Sequence, residues 1–129
     1  MGKMERNKGK RGELEVAKLV KEHGFEARRG QQHRGGDDSP DVIHNIPHVY
    51  IEVKFREQFS LYPALEKADD EADYGVGRGA DLVPVVFHRR KTQPWVIVMY
   101  AEDWLNIMRC LADYSPAGSR EPKTKRSKG

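Results

Sequence analysis

One cysteine, Cys110, is all the thiol chemistry this chain carries. That excludes a disulfide framework and a cysteine zinc cluster, and it suits a reducing compartment. No apolar run comes near the ~20 residues that span a membrane, and the first residues lack the apolar stretch of a secretory signal. The expected location is cytoplasmic (the host cell cytoplasm for a viral chain), with no membrane partner. Internal repeats are lacking too. At 129 residues there is chain enough for one domain with a real core, but not for two.

Charge is present in quantity and unevenly spread. Residues 1–11 and 115–129 together hold ten of the 23 Lys/Arg but only two of the 20 Asp/Glu, so each segment is +4. The body between them is left at −5. Short basic arms suit phosphate contacts, which are salt-dependent and blind to sequence. The same composition also serves as a solubilising, disordered terminus. The expected organisation is a basic disordered arm over 1–9, a single domain over 10–114 and a basic disordered tail over 115–129.

Along the chain, "KRGELEVAKLVKEH" (10–23) predicts a helix with an apolar stripe of Val16, Ala17, Leu19 and Val20, stopped by Gly24. Residues 25–29 predict a short strand, and 30–39 a polar, Gly-rich loop. Residues 41–45 and 48–55 predict two strands turning around Ile46-Pro47, since Pro cannot donate to a ladder. A second helix spans 61–74, with Glu66, Asp69, Asp70, Glu71 and Asp73 on its exposed side, and Gly75, Gly77 and Gly79 end it. Strands follow over 83–89 and 95–100. The second, "WVIVMY", lacks polar alternation and so reads as central. A last helix covers 102–112.

The chemistry concentrates in "PDVIHNIPHVYIEVKF" (40–55). Val49, Ile51, Val53 and Phe55 share one face of the strand, and Tyr50, Glu52 and Lys54 share the other. With the turn centred on Ile46-Pro47, Asp41 stands opposite Glu52. Like charges so placed repel, and a bound cation removes the repulsion. A loop one residue longer or shorter slips the register and separates the two. Glu13 adds a third carboxylate, because it heads the apolar stripe of the first helix and needs a buried partner. Glu15 lies on another face and reads as solvated. Three carboxylates without a Cys or His pattern favour a hard cation, Mg²⁺, with Mn²⁺ as a substitute. Lys54 is placed to orient a bound water or to stabilise charge on phosphorus. The set fits metal-assisted phosphodiester hydrolysis, with Glu13, Asp41, Glu52 and Lys54 catalytic and the three acids as metal ligands. By itself, Glu-x-Lys on a half-exposed strand is common in antiparallel sheets.

Pro40-Asp41 followed by Glu52-Val53-Lys54 resembles the PD-(D/E)xK nuclease signature. The order αβββαββα is similar to that superfamily's core. More narrowly, "NKGKRGELEVAKLVKEHGFEARR" (7–29) and "LVPVVFHRRKTQPWVIVMY" (82–100) resemble archaeal-type Holliday junction resolvases. The resemblance covers roughly residues 7–112. It implies a restriction-endonuclease-like α/β fold, a central mixed five-stranded sheet flanked by helices. It also implies a homodimer with one Mg²⁺-dependent site per subunit, acting as an endonuclease that makes paired nicks across four-way, branched DNA in recombination and repair. The family's metal-site acids map onto Glu13, Asp41 and Glu52, its lysine onto Lys54, and its arginine after the first strand onto Arg29.

Lys8, Lys10, Arg11, Arg28, Arg29, His33 and Arg34 are the expected DNA contacts. His44 and His48 flank the hairpin turn and read as solvated turn residues rather than metal ligands. Trp95, Trp104, Ile107 and Met108 read as core or as part of a dimer seam. Two other functions stay open: a restriction-like, repair or flap nuclease with the same chemistry, and a non-catalytic DNA-binding accessory protein on the same scaffold.

Overall fold

A computed structural model describes residues 3–30, 41–75 and 82–114 of the chain. The elements run α1 (Lys3–Glu22), β1 (Ala27–Arg29), β2 (Val42–His44), β3 (Val49–Phe55), α2 (Leu61–Asp70), a π-helical turn (Glu71–Gly75), β4 (Val83–Arg89), β5 (Val96–Val98) and α3 (Ala101–Tyr114). This is the αβββαββα order that the sequence predicts. The helix expected from residue 10 begins at Lys3 instead, so residues 3–9 extend α1 rather than forming a disordered arm. The tail over 115–129 lies outside the described residues.

Helix α1 ends as its sequence dictates. Gly24 adopts φ +95°, its N–H reaches the Lys21 carbonyl, and the Phe25 N–H reaches that of Val20. This pair of bonds satisfies carbonyls that the helix end would otherwise leave open.

The sheet is mixed, but it is not one five-stranded ladder. Strands β1 and β2 form an antiparallel pair, with Arg28 opposite Ile43, and β3, β4 and β5 form a separate sheet in that order. The expected hairpin pairing of β2 with β3 is absent among the described residues. The physical reason is local. Where the ladder would run, the Asp41 side chain, not a backbone carbonyl, accepts the Val53 N–H at 2.9 Å. Strand β3 is parallel to β4, Glu52 lying beside Val86, and α2 supplies the crossover that parallel neighbours need.

Two apolar clusters sandwich this sheet. Val16, Ala17 and Val20 of α1 pack against Val42, Ile51, Val53, Val85 and Phe87. On the opposite face Ala64, Leu65 and Ala68 of α2, with Ala72, pack on Tyr50 and Val86. Period-two alternation in β3 thus sends Ile51 and Val53 to α1, and Tyr50 and Glu52 to the α2 side. The polar face of β3 is covered, not solvated.

Strand β5 corrects the expectation of a central strand. Among the described residues it pairs only with β4, and Val96 and Ile97 are about half exposed. Its apolar run reflects an uncovered edge. Helix α3 likewise has no buried residue, and its Trp104, Leu105 and Leu111 lie open.

Candidate active site

Glu52 is the centre of the site. It sits mid-strand on β3, beneath α2, and is only 1% exposed. Its Oε2 takes two ammonium partners: Lys67 Nζ at 3.1 Å and Lys54 Nζ at 3.4 Å. Among the described residues its Oε1 is buried without a hydrogen bond. A buried carboxylate oxygen left unsatisfied is costly, so this atom is positioned for a cation or a donor that arrives from outside.

The two other acids approach Glu52 from different elements. Asp41 stands just before β2 and reaches β3 through the bond to the Val53 N–H. Burial lifts its pKa to about 6 against that hydrogen bond, and the Glu13 charge adds to the rise. Glu13 projects from α1, and Arg29 Nε of β1 donates to its Oε1 at 2.7 Å. Burial raises the Glu13 pKa despite Arg29, and the Glu52 charge contributes in the same direction. The three acids therefore feel one another. Among the described residues, however, no three acid, His or Cys side chains are already drawn together as a metal cage. Each acid is engaged with a protein group instead. The donor chemistry fits a hard divalent cation, all oxygen and one atom orphaned, while closure around it requires the ion pairs to yield.

Two residues of the site escape the motif. Lys67 lies on α2 and contacts Glu52 as well as Glu71, the latter at 3.8 Å. Glu71, expected on the solvent side, turns inward and accepts the Tyr50 hydroxyl at 2.8 Å. Burial and the Glu52 charge raise the Glu71 pKa against that bond. Burial lowers the Lys67 pKa, but the Glu52 and Glu71 carboxylates more than offset it, and the net shift is upward. A signal existed in the sequence. Ala64, Lys67, Ala68 and Glu71 follow helical i, i+3, i+4, i+7 spacing, so the two charged residues share the alanine face.

Of the expected DNA contacts, Arg29 is committed to Glu13, Arg28 on β1 is exposed, and Lys10 and Arg11 are exposed on α1. Lys8 and Arg11 lie over the Phe55 ring, 4.9 Å and 5.3 Å from its centre. His33 and Arg34 lie outside the described residues. Glu15, expected to be solvated, is a structural hub: it accepts from Arg89, Trp95 and Arg11 at 2.9–3.1 Å. Although burial opposes it, the bonds from Arg89 and Arg11 hold its pKa below the usual range. His44 Nδ1 accepts the Ile46 N–H, which makes it a turn residue. Beside Glu52 opens a cleft of about 350 Å³ lined by Lys54, Arg56, Ser60, Ala64 and Lys67.

The fold thus brings a buried Glu-x-Lys strand, an Asp reaching it and a glutamate from the first helix onto one mixed α/β core. Residues 4–105 match the archaeal Holliday junction resolvase family (Hjc). That match spans well over half of the chain, and the protein belongs to this family. No curated protein and no solved structure matches the chain. No helix among the described residues is long and apolar enough to cross a membrane.

Proposed function

We propose that the chain is a metal-dependent endonuclease that cuts four-way DNA junctions, working as a homodimer that makes paired nicks inside the cell. The observation that carries the reading is Glu52, buried beside Lys54 with one oxygen lacking a hydrogen bond among the described residues, in a chain of the resolvase family. Glu52, Asp41 and Glu13 are the residues that would hold Mg²⁺, with Mn²⁺ as a substitute. The bound ion would supply charge stabilisation at a phosphate oxygen and a more acidic water. Lys54, 18% exposed, keeps its ammonium at the edge of the site, where it can orient a water and offset charge building on phosphorus. Arg29 holds Glu13 in place across α1 and β1. The exposed Lys10, Arg11 and Arg28, with Lys8, which pairs with Glu57 at 3.7 Å, supply phosphate contacts.

Helix α3 supports the dimer. An amphipathic helix draws most of its stability from packing, yet α3 buries nothing in the single chain. A second copy covering Trp104, Leu105 and Leu111, with the free edge of β5, would satisfy both.

A second reading, DNA binding without cleavage, draws on the pairing of each acid with a protein group. The deciding experiment is cleavage of a synthetic four-way junction against a linear duplex of matched sequence, with Mg²⁺ and with EDTA. Mg²⁺-dependent symmetric nicking of the junction, lost in Glu52→Gln while junction binding persists, is the expected result. Equal cutting of both DNAs would point to a less selective restriction-like, repair or flap nuclease. Binding without cutting would favour the accessory reading.

A further inference from the structure

The contact between Lys67 and Glu52 goes beyond the motif residues. Lys54 already provides Glu52 with a counter-charge from the same strand. Lys67 comes from α2 and approaches the same oxygen more closely, while Oε1 has no hydrogen-bond partner among the described residues. The two lysines differ in freedom. Lys54 is 18% exposed and held along β3, whereas the Lys67 side chain is 53% exposed at the mouth of the 350 Å³ cleft. Lys67 sits on a flexible four-carbon stem, pairs also with Glu71 at 3.8 Å, and lines the cleft together with Lys54, Arg56 and Ser60. Three cations around an open cleft suit a phosphate group.

The local charge count gives this a direction. Glu13 is balanced by Arg29. Among the described residues, Asp41, Glu52 and Glu71 then interact with Lys54 and Lys67, three negative charges against two positive, while Arg56 lines the cleft without pairing with any of the three acids. A divalent cation at Glu52 reverses that imbalance and repels the nearest free ammonium, because like charges at such distances interact strongly in a partly buried site. We infer that Lys67 is an exchangeable counter-ion: it occupies Glu52 until DNA arrives, competes there with the metal, and moves to the incoming phosphate. Metal and DNA binding are thereby coupled, and the free protein holds its metal weakly. The inference rests on the metal-dependent reading above and deepens it.

The test is calorimetric titration of Mn²⁺ into wild-type protein, Lys67→Met and Lys67→Gln, each with and without an uncleavable four-way junction carrying phosphorothioate linkages. Circular dichroism establishes that the variants are folded, and Gln retains a donor toward Glu52 without the charge. The expected result is Mn²⁺ affinity about tenfold higher in both variants without DNA. The gain in affinity that DNA confers on wild type should shrink in both. A lysine that merely props Glu52 in position would give the opposite sign, and weaker or unchanged Mn²⁺ binding in the folded variants would overturn the inference alone. Absence of Mn²⁺ binding in all three proteins, with DNA present, would overturn the metal reading and this inference together.

Discussion

Gly12 of α1 and Phe55 of β3 meet so closely that a Cβ on Gly12 would stand 3.0 Å from the Phe55 Cβ and 3.3 Å from Val53 Cγ1. This close crossing seats α1 on the sheet and delivers Glu13, the next residue, to the site. Gly9, one turn earlier in the same helix, has nothing within 4 Å of the same position. The two glycines should therefore respond oppositely to alanine. Gly9→Ala should stabilise by roughly 0.5–1 kcal/mol through helix propensity. Gly12→Ala should destabilise by about 1–3 kcal/mol, since the clash is with a Cβ fixed to the β3 backbone, which cannot swing away. Urea denaturation of both variants measures the pair.

The Arg29–Glu13 ion pair, at 2.7 Å and largely buried, should be costly to break from one side. Arg29→Ala leaves a buried carboxylate without its partner and is expected to lose about 2–4 kcal/mol. The double variant Arg29→Ala/Glu13→Gln should recover part of that loss, because the orphaned charge is gone. A double-mutant cycle reads the coupling directly.

Asp41 makes stability depend on pH in an unusual sense for an acid. Its pKa in the fold is about 6, above the ordinary 3.8. The folded state therefore binds the proton more tightly than the unfolded chain does. The stabilisation is complete below about pH 4 and is lost as pH rises to about 6. Metal-free protein should accordingly lose up to about 3 kcal/mol from this group across that window. Asp41→Asn should flatten the dependence and raise the melting temperature at pH 8. Thermal melts in EDTA from pH 4 to pH 8 measure both effects.

Helix α3 offers the clearest test of assembly. Trp104 and Leu105 are 49% and 57% exposed in the single chain. The double variant Trp104→Glu/Leu105→Glu should shift sedimentation from dimer to monomer and leave the far-ultraviolet spectrum of the α1–β4 core intact. Cleavage by such a monomer should lose its symmetry across the junction before it loses the ability to nick.

Local pattern was enough for much of this protein. Period-two alternation marked β3, Gly24 marked the end of α1, and the spacing Asp41…Glu52-x-Lys54 marked the candidate site. These features are dictated by backbone geometry within a few residues, so a sequence carries them whole. The order of eight helices and strands is legible for the same reason. Pairing across space is different. Whether β2 joins β3 depended on one side chain, that of Asp41, capturing a backbone N–H. The inward face of Glu71 follows from its helical spacing, but its bond to the Tyr50 hydroxyl depended on α2 being laid over β3. An apolar run such as Val96–Val98 reads alike in a central strand and on an edge awaiting a partner, and only the sheet order separates the two. Above all, the sequence marks Glu52 as an acid that needs a cation, while the packing of α2 over β3 decides that Lys67 joins Lys54 at its Oε2. Charge balance is settled through space by whichever groups the fold brings within a few ångströms, and no periodicity encodes that.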